Sequence, residues 1–425
     1  MAYGLLYFIT YKMIGFFIVA TLAIILGGFT EKVEGKEYTK SEVCGRCHTE
    51  IYKEWANSLH ATSLTDPVFV GVFKEVEYKE DREFCLKCHA PTVRVTGDFD
   101  IRLPITKEGV TCDFCHTIKG VNLTKEEPFA FDLGDTKRGP FEGGIEDGHK
   151  NAYSEVHLKA EFCATCHEVV NKWGFYVMRT YSEWKEGPYA EKGIQCQNCH
   201  MPEVFGVPIV NPEVAKTIRI VTAHKFLGGH SEITLTRVAK ISSLVERLDD
   251  SLSVVVYVTN AESGHRLPTG IPSRKVILRL RLLSPRGEVA GEIVGEKEVV
   301  YKRVLIDEEG REIPDDNMKD MFLKAVGVKS DNRIYPGESR REEFIFPVSD
   351  VMGEEVIVES VLRYEFRAPF LEPNIMKVEM ARDVKTINIG KEGINIGIWK
   401  WIIFLVAVLF VLQITLRIVR RHPGG

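Results

Sequence analysis

CGRCH at residues 44–48 opens a series of five like pentapeptides, continued by CLKCH at 85–89, CDFCH at 112–116, CATCH at 163–167 and CQNCH at 196–200. The five copies use all ten cysteines of the 425-residue chain. Their spacing predicts five haem c groups, each with its iron. In such a site two thiols add across the vinyl groups of one macrocycle, and the histidine that follows is carried beneath the ring to bind the metal. The covalent attachments are then Cys44 and Cys47, Cys85 and Cys88, Cys112 and Cys115, Cys163 and Cys166, and Cys196 and Cys199. The proximal iron ligands are His48, His89, His116, His167 and His200. Zinc sites and disulfides also draw on Cys-x-x-Cys pairs. Zinc knuckles consume such pairs two at a time, so five would leave one over, and neither chemistry uses a histidine after every pair.

The motifs lie within Tyr38 to His230, and their density decides how this part must fold. With a haem for roughly every 30 residues, little apolar side chain is left for an ordinary core, and the macrocycles must supply the buried surface. Helical periodicity is short and local. In EIYKEWANSLHATS, Ile51, Trp55 and Leu59 recur at i, i+4 and i+8 and share one helix face. We expect a mostly helical, loop-rich pentahaem domain over 38–231 that does not fold without its haem.

Beyond it the period becomes two and cysteine disappears. In KVILRLRL, Val276, Leu278, Leu280 and Leu282 alternate with Ile277, Arg279 and Arg281. In VIVESVLRYEFR, Val358, Leu362, Tyr364 and Phe366 alternate with Glu359, Arg363, Glu365 and Arg367. Such strands have one wet face. Turn signals at SPRGE and YPGES separate the runs. The pattern predicts an antiparallel β-sandwich-like domain over 232–390, immunoglobulin-like in type; the plainest role for it is a spacer. The fold class is thus α+β and multidomain.

Two apolar segments bracket these regions. Residues 1–30 contain MIGFFIVATLAIILGGF, which reads as a signal-peptide core or an amino-terminal anchor, with no Ala-x-Ala cleavage site after it. Ile396 to Leu416 makes a helix of about 31 Å at ~1.5 Å per residue, enough to cross a bilayer. Trp399 and Trp401 flank it as an aromatic belt, and Arg417, Arg420 and Arg421 follow it, so residues 417–425 form a basic tail that the positive-inside rule places in the cytoplasm. The other domains then lie on the extracytoplasmic side of the cell membrane, where haem c is attached. The net charge of -5 is mild and its lysines and arginines are dispersed, which argues against a nucleic-acid partner.

Seven histidines lie outside the motifs. His422 falls in the cytoplasmic tail, leaving His60, His149, His157, His224, His230 and His265 as candidates for the five distal iron positions. One is spare if every haem takes two histidines.

The strings around the motifs carry a resemblance. CGRCHTEIYKEWANSLHA, EGVTCDFCHTI, AYSEVHLKAEFCATCHEV and YSEWKEGPYAEKGIQCQNCHMP are similar to those of the cytochrome c-554 and hydroxylamine-oxidoreductase-like group of multihaem cytochromes, over about Ser41 to His230. The resemblance implies a helical domain with closely stacked haems and histidines supplied in trans. It implies a distal role for His60, in a Trp-x-x-Ser-x-His string, and for His149, which precedes Ala-Tyr-Ser; HKFLGGH offers His224 and His230. NAESGHRLPTG resembles a string that follows the haem region in many multihaem proteins, which would make His265 a ligand returned from the β domain. His157 is the candidate most readily set aside.

The chain also departs from that group's enzymes. Five motifs do not reproduce an octahaem hydroxylamine oxidoreductase with its cross-linked tyrosine, and no Cys-x-x-Cys-Lys is present to supply the lysine-ligated haem of pentahaem nitrite reductases. Ordinary packing is the simpler role for Tyr153, Tyr176, Tyr181 and Tyr189. The expectation is therefore electron transfer between a membrane redox enzyme, quinol-linked or other, and an external or periplasmic redox partner, with no catalytic residue assigned; an oligomer is compatible with it. The alternatives are an oxidoreductase acting on a small nitrogen or sulfur compound at one five-coordinate haem, and a β domain that docks a partner.

Overall fold

The computed structural model describes residues 37–142, 148–208, 218–285, 291–348, 355–367, 370 and 375–389. The segments expected at 1–30, 396–416 and 417–425 lie outside the described residues. Among the described residues no helix is long and apolar enough to cross a membrane.

The motif region consists of short helices. Four motifs end a helix on their histidine: Lys79–His89, Cys112–His116, Ala160–His167 and Cys196–His200. The first motif begins inside Ser41–Gly45. Local chemistry starts several of these turns. The Asp66 side chain accepts from the Val68 and Phe69 amides ahead of Pro67–Lys74, Thr111 accepts from the Phe114 amide, and Gln195 with Asn198 forms a reciprocal capping box. The helix Thr49–Ala56 stops earlier than the apolar spacing suggests, so Trp55 is buried while Leu59 is 48% exposed.

The expected mostly helical character is met only in part, because four two-stranded ribbons lie between the helices. β1 (Ile118–Val121) pairs antiparallel with β2 (Phe129–Phe131), and β3 (Thr136–Gly139) parallel with β4 (Lys150–Tyr153). β5 (Glu168–Val170) pairs with β6 (Tyr176–Arg179), and β7 (Glu203–Gly206) with β8 (Arg219–Thr222). Apolar clusters here are small. One gathers Leu64, Phe73, Leu86, Ala90 and Val93, another Tyr38, Phe114, Ile118 and Phe129. That agrees with the shortage of core-forming side chain read from the sequence.

After a helix at Glu232–Val238 the chain becomes a sheet protein. β9 (Ala239–Arg247), β10 (Ser251–Asn260) and β15 (Ser339–Pro347) form one antiparallel sheet in the order β15-β10-β9. β11 (Arg274–Ser284), β12 (Glu292–Tyr301), β16 (Glu355–Arg367) and β17 (Ile375–Asn388) form a second in the order β12-β11-β16-β17. Inward residues of both sheets make one core, including Val254, Val256, Leu278, Leu280, Val358, Leu362 and Phe346. Three strands facing four is the count of a small immunoglobulin-like sandwich.

β11 keeps the expected alternation except at Ile277, which is also buried. β16 does not have the expected wet face. It lies between β11 and β17, and Glu359 and Glu365 are each only 7% exposed. Long cations from its neighbours roof these acids: Arg281 meets Glu359 at 2.6 Å and Arg382 also binds it, while Lys275 and Lys377 stand over Glu365.

Between the sandwich strands, β13 (Arg303–Ile306), a helix at Met318–Leu323 and β14 (Gly327–Asp331) form an arm that packs on the motif region. Val177 joins Leu305, Ile313, Met321 and Ala325 in one buried cluster. Arg303 donates to the Val177 and Tyr176 carbonyls, both at 2.9 Å, and the Trp173 indole donates to the Leu323 carbonyl at 2.8 Å. On the other side, Val68 of the motif region belongs to the sandwich core. The two regions therefore share buried apolar surface at two separate places.

Candidate haem centres

None of the ten cysteines is in a disulfide. Among the described residues, no group of three or more His, Cys, Asp or Glu side chains is arranged to hold a metal ion without a cofactor. What the helices do is fix the motif histidines. His48 Nδ1 hydrogen-bonds the Pro208 carbonyl at 2.7 Å, His89 Nδ1 that of Ser63 at 2.9 Å, His116 Nδ1 that of Arg138 at 2.5 Å, and His200 Nδ1 that of Leu227 at 2.5 Å. A carbonyl only accepts, so Nδ1 carries the proton and the Nε2 lone pair is left for a metal. This donor set fits haem iron.

A second imidazole stands opposite four of the five motif histidines. Metal–imidazole bonds of about 2 Å, plus about 1.1 Å from each bonding nitrogen to its ring centre, put two rings sharing one ion about 6.3 Å apart. Ring centres are 6.1 Å apart for His48 and His149, 6.3 Å for His167 and His60, 6.2 Å for His116 and His224, and 6.4 Å for His200 and His265. Three of the outer rings have the same tautomer lock: Nδ1 meets the Lys150 carbonyl in His149 (3.1 Å), the Thr222 carbonyl in His224 (2.7 Å) and the Arg266 carbonyl in His265 (3.1 Å). Burial, reinforced by neighbouring imidazoles, pushes His60 down to about 3 and His167, His224 and His265 down to about 4. Burial also lowers His48, His89 and His116. These rings are neutral at ordinary pH, the form that binds a metal.

His265 reaches the motif region from the loop after β10, and that loop is firmly seated. Asn260 Nδ2 donates to the His265 carbonyl at 2.9 Å, and Thr269 donates to Glu183 at 2.6 Å. Glu183 forms a buried ion pair with Arg333 at 2.7 Å, and Arg333 in turn donates to the Pro268 carbonyl. Glu183 and Arg333 carry no sequence signal; only burial marks them.

Two candidates fall outside these pairs: His157, the one most readily set aside on sequence, and His230, which HKFLGGH offers as a ligand. His157 lies beside His116, ring centres 5.8 Å apart and planes 17° from parallel, but its Nε2 hydrogen-bonds the Cys115 carbonyl at 3.0 Å. Its Nε2 is thus engaged by the backbone, while its Nδ1 is buried and has no hydrogen-bond partner among the described residues. His230 faces Arg274, Nε2 to Nη2 at 3.4 Å, and packs edge-on to Phe366. His89 is stacked on Phe69 at 3.9 Å, and among the described residues no histidine ring shares the 6.1–6.4 Å spacing with it. Outer histidines are expected at all five positions; the 6.1–6.4 Å ring spacing occurs at four of the five motif histidines.

The motifs are also close to one another. Cys44 is within hydrogen-bonding reach of Cys112, Cys88 of Cys166, and Cys163 of Cys196. Electrostatic reach gives the same order: His48 acts on His116 and His224, while His200 and His89 both act on His167. The first motif therefore neighbours the third, and the fourth neighbours both the second and the fifth.

Residues 43–117 match the family described as cytochrome c554 and c-prime. A penta-heme cytochrome c552 from Thermochromatium tepidum has a similar fold, with a TM-score of 0.66 at 23% sequence identity, covering 82% of this chain and 99% of that one. Beta-glucosidase 3B from Thermotoga neapolitana aligns over 35% of this chain and 16% of its own at 16% identity and a TM-score of 0.14. A beta-glucosidase from Kluyveromyces marxianus aligns over 36% of this chain and 14% of its own at 14% identity and a TM-score of 0.15. Likeness this slight carries no argument. No curated protein sequence matches the chain.

Proposed function

We propose that this chain, which has the motifs and the fold of a multihaem c-type cytochrome, is a membrane-anchored pentahaem electron carrier. Its haem and β domains work on the extracytoplasmic face, held by the segment 396–416. When bound, haem c supplies an iron that passes between ferric and ferrous. The protein's part is to hold each iron between fixed imidazoles and to set its surroundings. Four irons would be held by the pairs His48/His149, His60/His167, His116/His224 and His200/His265, and His89 would hold the fifth. The observation that carries this reading is the ring spacing of 6.1–6.4 Å in all four pairs.

The neighbour relations suggest a forked route. With haem bound, electrons would pass from the His48 centre to that of His116 and then to that of His167, since Cys115 lies within electrostatic reach of Cys163 and His224 within that of His60. The His167 centre borders both the His89 and the His200 centres. Donor and acceptor are redox proteins, one of them a membrane oxidoreductase, quinol-linked or other. Electron paramagnetic resonance of the oxidised holoprotein tests the assignment: four equivalents of low-spin, bis-histidine iron support it, and two or more high-spin centres refute it.

A second reading rests on His89 alone. With no imidazole opposite it among the described residues, this centre is suited to bind a small nitrogen or sulfur compound, with the other haems feeding it electrons. Cyanide or nitric oxide binding at one centre together with turnover supports that reading, and refusal of both ligands ends it.

A further inference from the structure

Where the sandwich meets the motif region, Arg274 at the start of β11 extends into a group of polar side chains with unfilled hydrogen-bonding capacity. Its Nη1 donates to the Thr269 carbonyl at 3.2 Å, and Nη2 faces His230 at 3.4 Å. Its Nε is buried with no partner. Among the described residues no carboxylate pairs with it, although its charge acts on His167, His230 and His265. Beside it, Tyr364 is only 2% exposed and its hydroxyl is also without a partner. An unmet buried donor costs on the order of 1–3 kcal/mol, more when charged, so two in one place call for an acceptor.

The backbone comes close to both groups where it carries no side chain. A Cβ on Gly229 would lie 3.0 Å from Arg274 Nη1 and 3.1 Å from the Tyr364 hydroxyl, so both groups border a single point. Gly270, at φ +82, would place a Cβ 2.8 Å from the same Nη1. The nearby acid is held elsewhere: Asp66 Oδ1 accepts from the Val68 and Phe69 amides, each at 3.0 Å, and among the described residues no ion pair joins Asp66 to Arg274.

We propose that Arg274 and Tyr364, with His230 accepting from the guanidinium, form an anion site at the domain seam, which takes a carboxylate or a small oxyanion. Two sources supply that chemistry, a propionate of a resident haem and a diffusible anion. The propionate source rests on the haem reading above. A guanidinium bound to a propionate neutralises charge beside the iron and favours the ferrous state. A diffusible anion instead favours the ferric state when it binds.

Spectroelectrochemical titration of the full-length holoprotein, wild type against Arg274→Gln, Arg274→Lys and Tyr364→Phe, separates these cases. Each sample is titrated with and without sodium sulfate or sodium acetate at constant ionic strength. A propionate predicts that Arg274→Gln moves one midpoint potential to a more negative value, that Arg274→Lys recovers part of the shift, and that added anion does nothing to the wild type. A diffusible anion predicts a saturable negative shift in the wild type that is lost in Arg274→Gln. The proposal is overturned if the variants retain every midpoint potential and the wild type ignores both anions. Should Arg274→Gln fail to fold, Tyr364→Phe and Arg274→Lys distinguish the same outcomes. Haem content and low-spin intensity from the same samples report separately on the haem reading.

Discussion

His265→Ala removes the one outer imidazole contributed by the sandwich, and the proposed pairing fixes what must follow. Its ring centre is 6.4 Å from that of His200, against about 6.3 Å expected across a shared iron. Four such pairs exist, so losing one takes low-spin intensity from four equivalents to three and adds one high-spin centre. The loop should survive the change, because it is also held through Asn260, Thr269 and Arg333, by main-chain atoms and Glu183, and the imidazole adds only local bonds to Ser263 and the Arg266 carbonyl. Spin integration of the oxidised holoprotein, with haem content measured on the same sample, reads the loss, and added imidazole should restore it. His157→Ala is the contrasting variant, with no change in spin count, since its Nε2 binds the Cys115 carbonyl. Four low-spin equivalents retained in His265→Ala, or one lost in His157→Ala, refutes the geometric reasoning.

Glu183→Ala leaves Arg333 buried with half its acidic partners, which costs about 3–5 kcal/mol; urea unfolding of the sandwich should show it, and an unchanged midpoint contradicts the assignment. Burial works against the charge of Asp331, but its hydrogen bonds and ion pairs with Arg333 and Arg266 outweigh that and hold its carboxyl below the usual range. A lowered folded-state value contributes stability that is present above the unfolded value, about 3.9, and is lost as pH falls through the folded one. Thermal melts should therefore drop more steeply below pH 4 in the wild type than in Asp331→Asn. Truncation after residue 390 should move the protein from the membrane fraction to the soluble one with its haem spectrum intact, and retention in the membrane would assign anchoring to residues 1–30 instead.

The proximal half of each site was legible because covalent attachment requires its residues to be adjacent in sequence: Cys163, Cys166 and His167 cannot be separated. The outer half has no such constraint. His149 and His157 both precede the fourth motif, and only a resemblance in the strings around them set them apart; the structure adds which ring nitrogen a carbonyl has taken. The sandwich was legible from its period of two, yet the burial of Glu359 and Glu365 was not, since whether a strand is central depends on partners far away in the chain. Arg274 and Tyr364 read as ordinary members of an alternating strand start and strand. Only the approach of Gly229 shows that they converge.

A passive spacer is the simplest role for a domain without redox groups, but the contacts argue against it. The sandwich region sends His265 towards His200, lays Arg274 among three histidines, takes Val68 into its core and clamps Val177 with its arm. None of these is needed to hold a haem domain at a distance from a membrane. A linker would be expected to tolerate deletion with its neighbour unchanged. Removal of residues 232–389, with the remaining chain rejoined to its carboxyl segment, should instead lose the His200/His265 low-spin signal and shift the midpoint potential that Arg274 influences. A deletion variant that retains all four low-spin equivalents and every potential would return the domain to the status of a spacer, and with it would fall both the His265 assignment and the anion site.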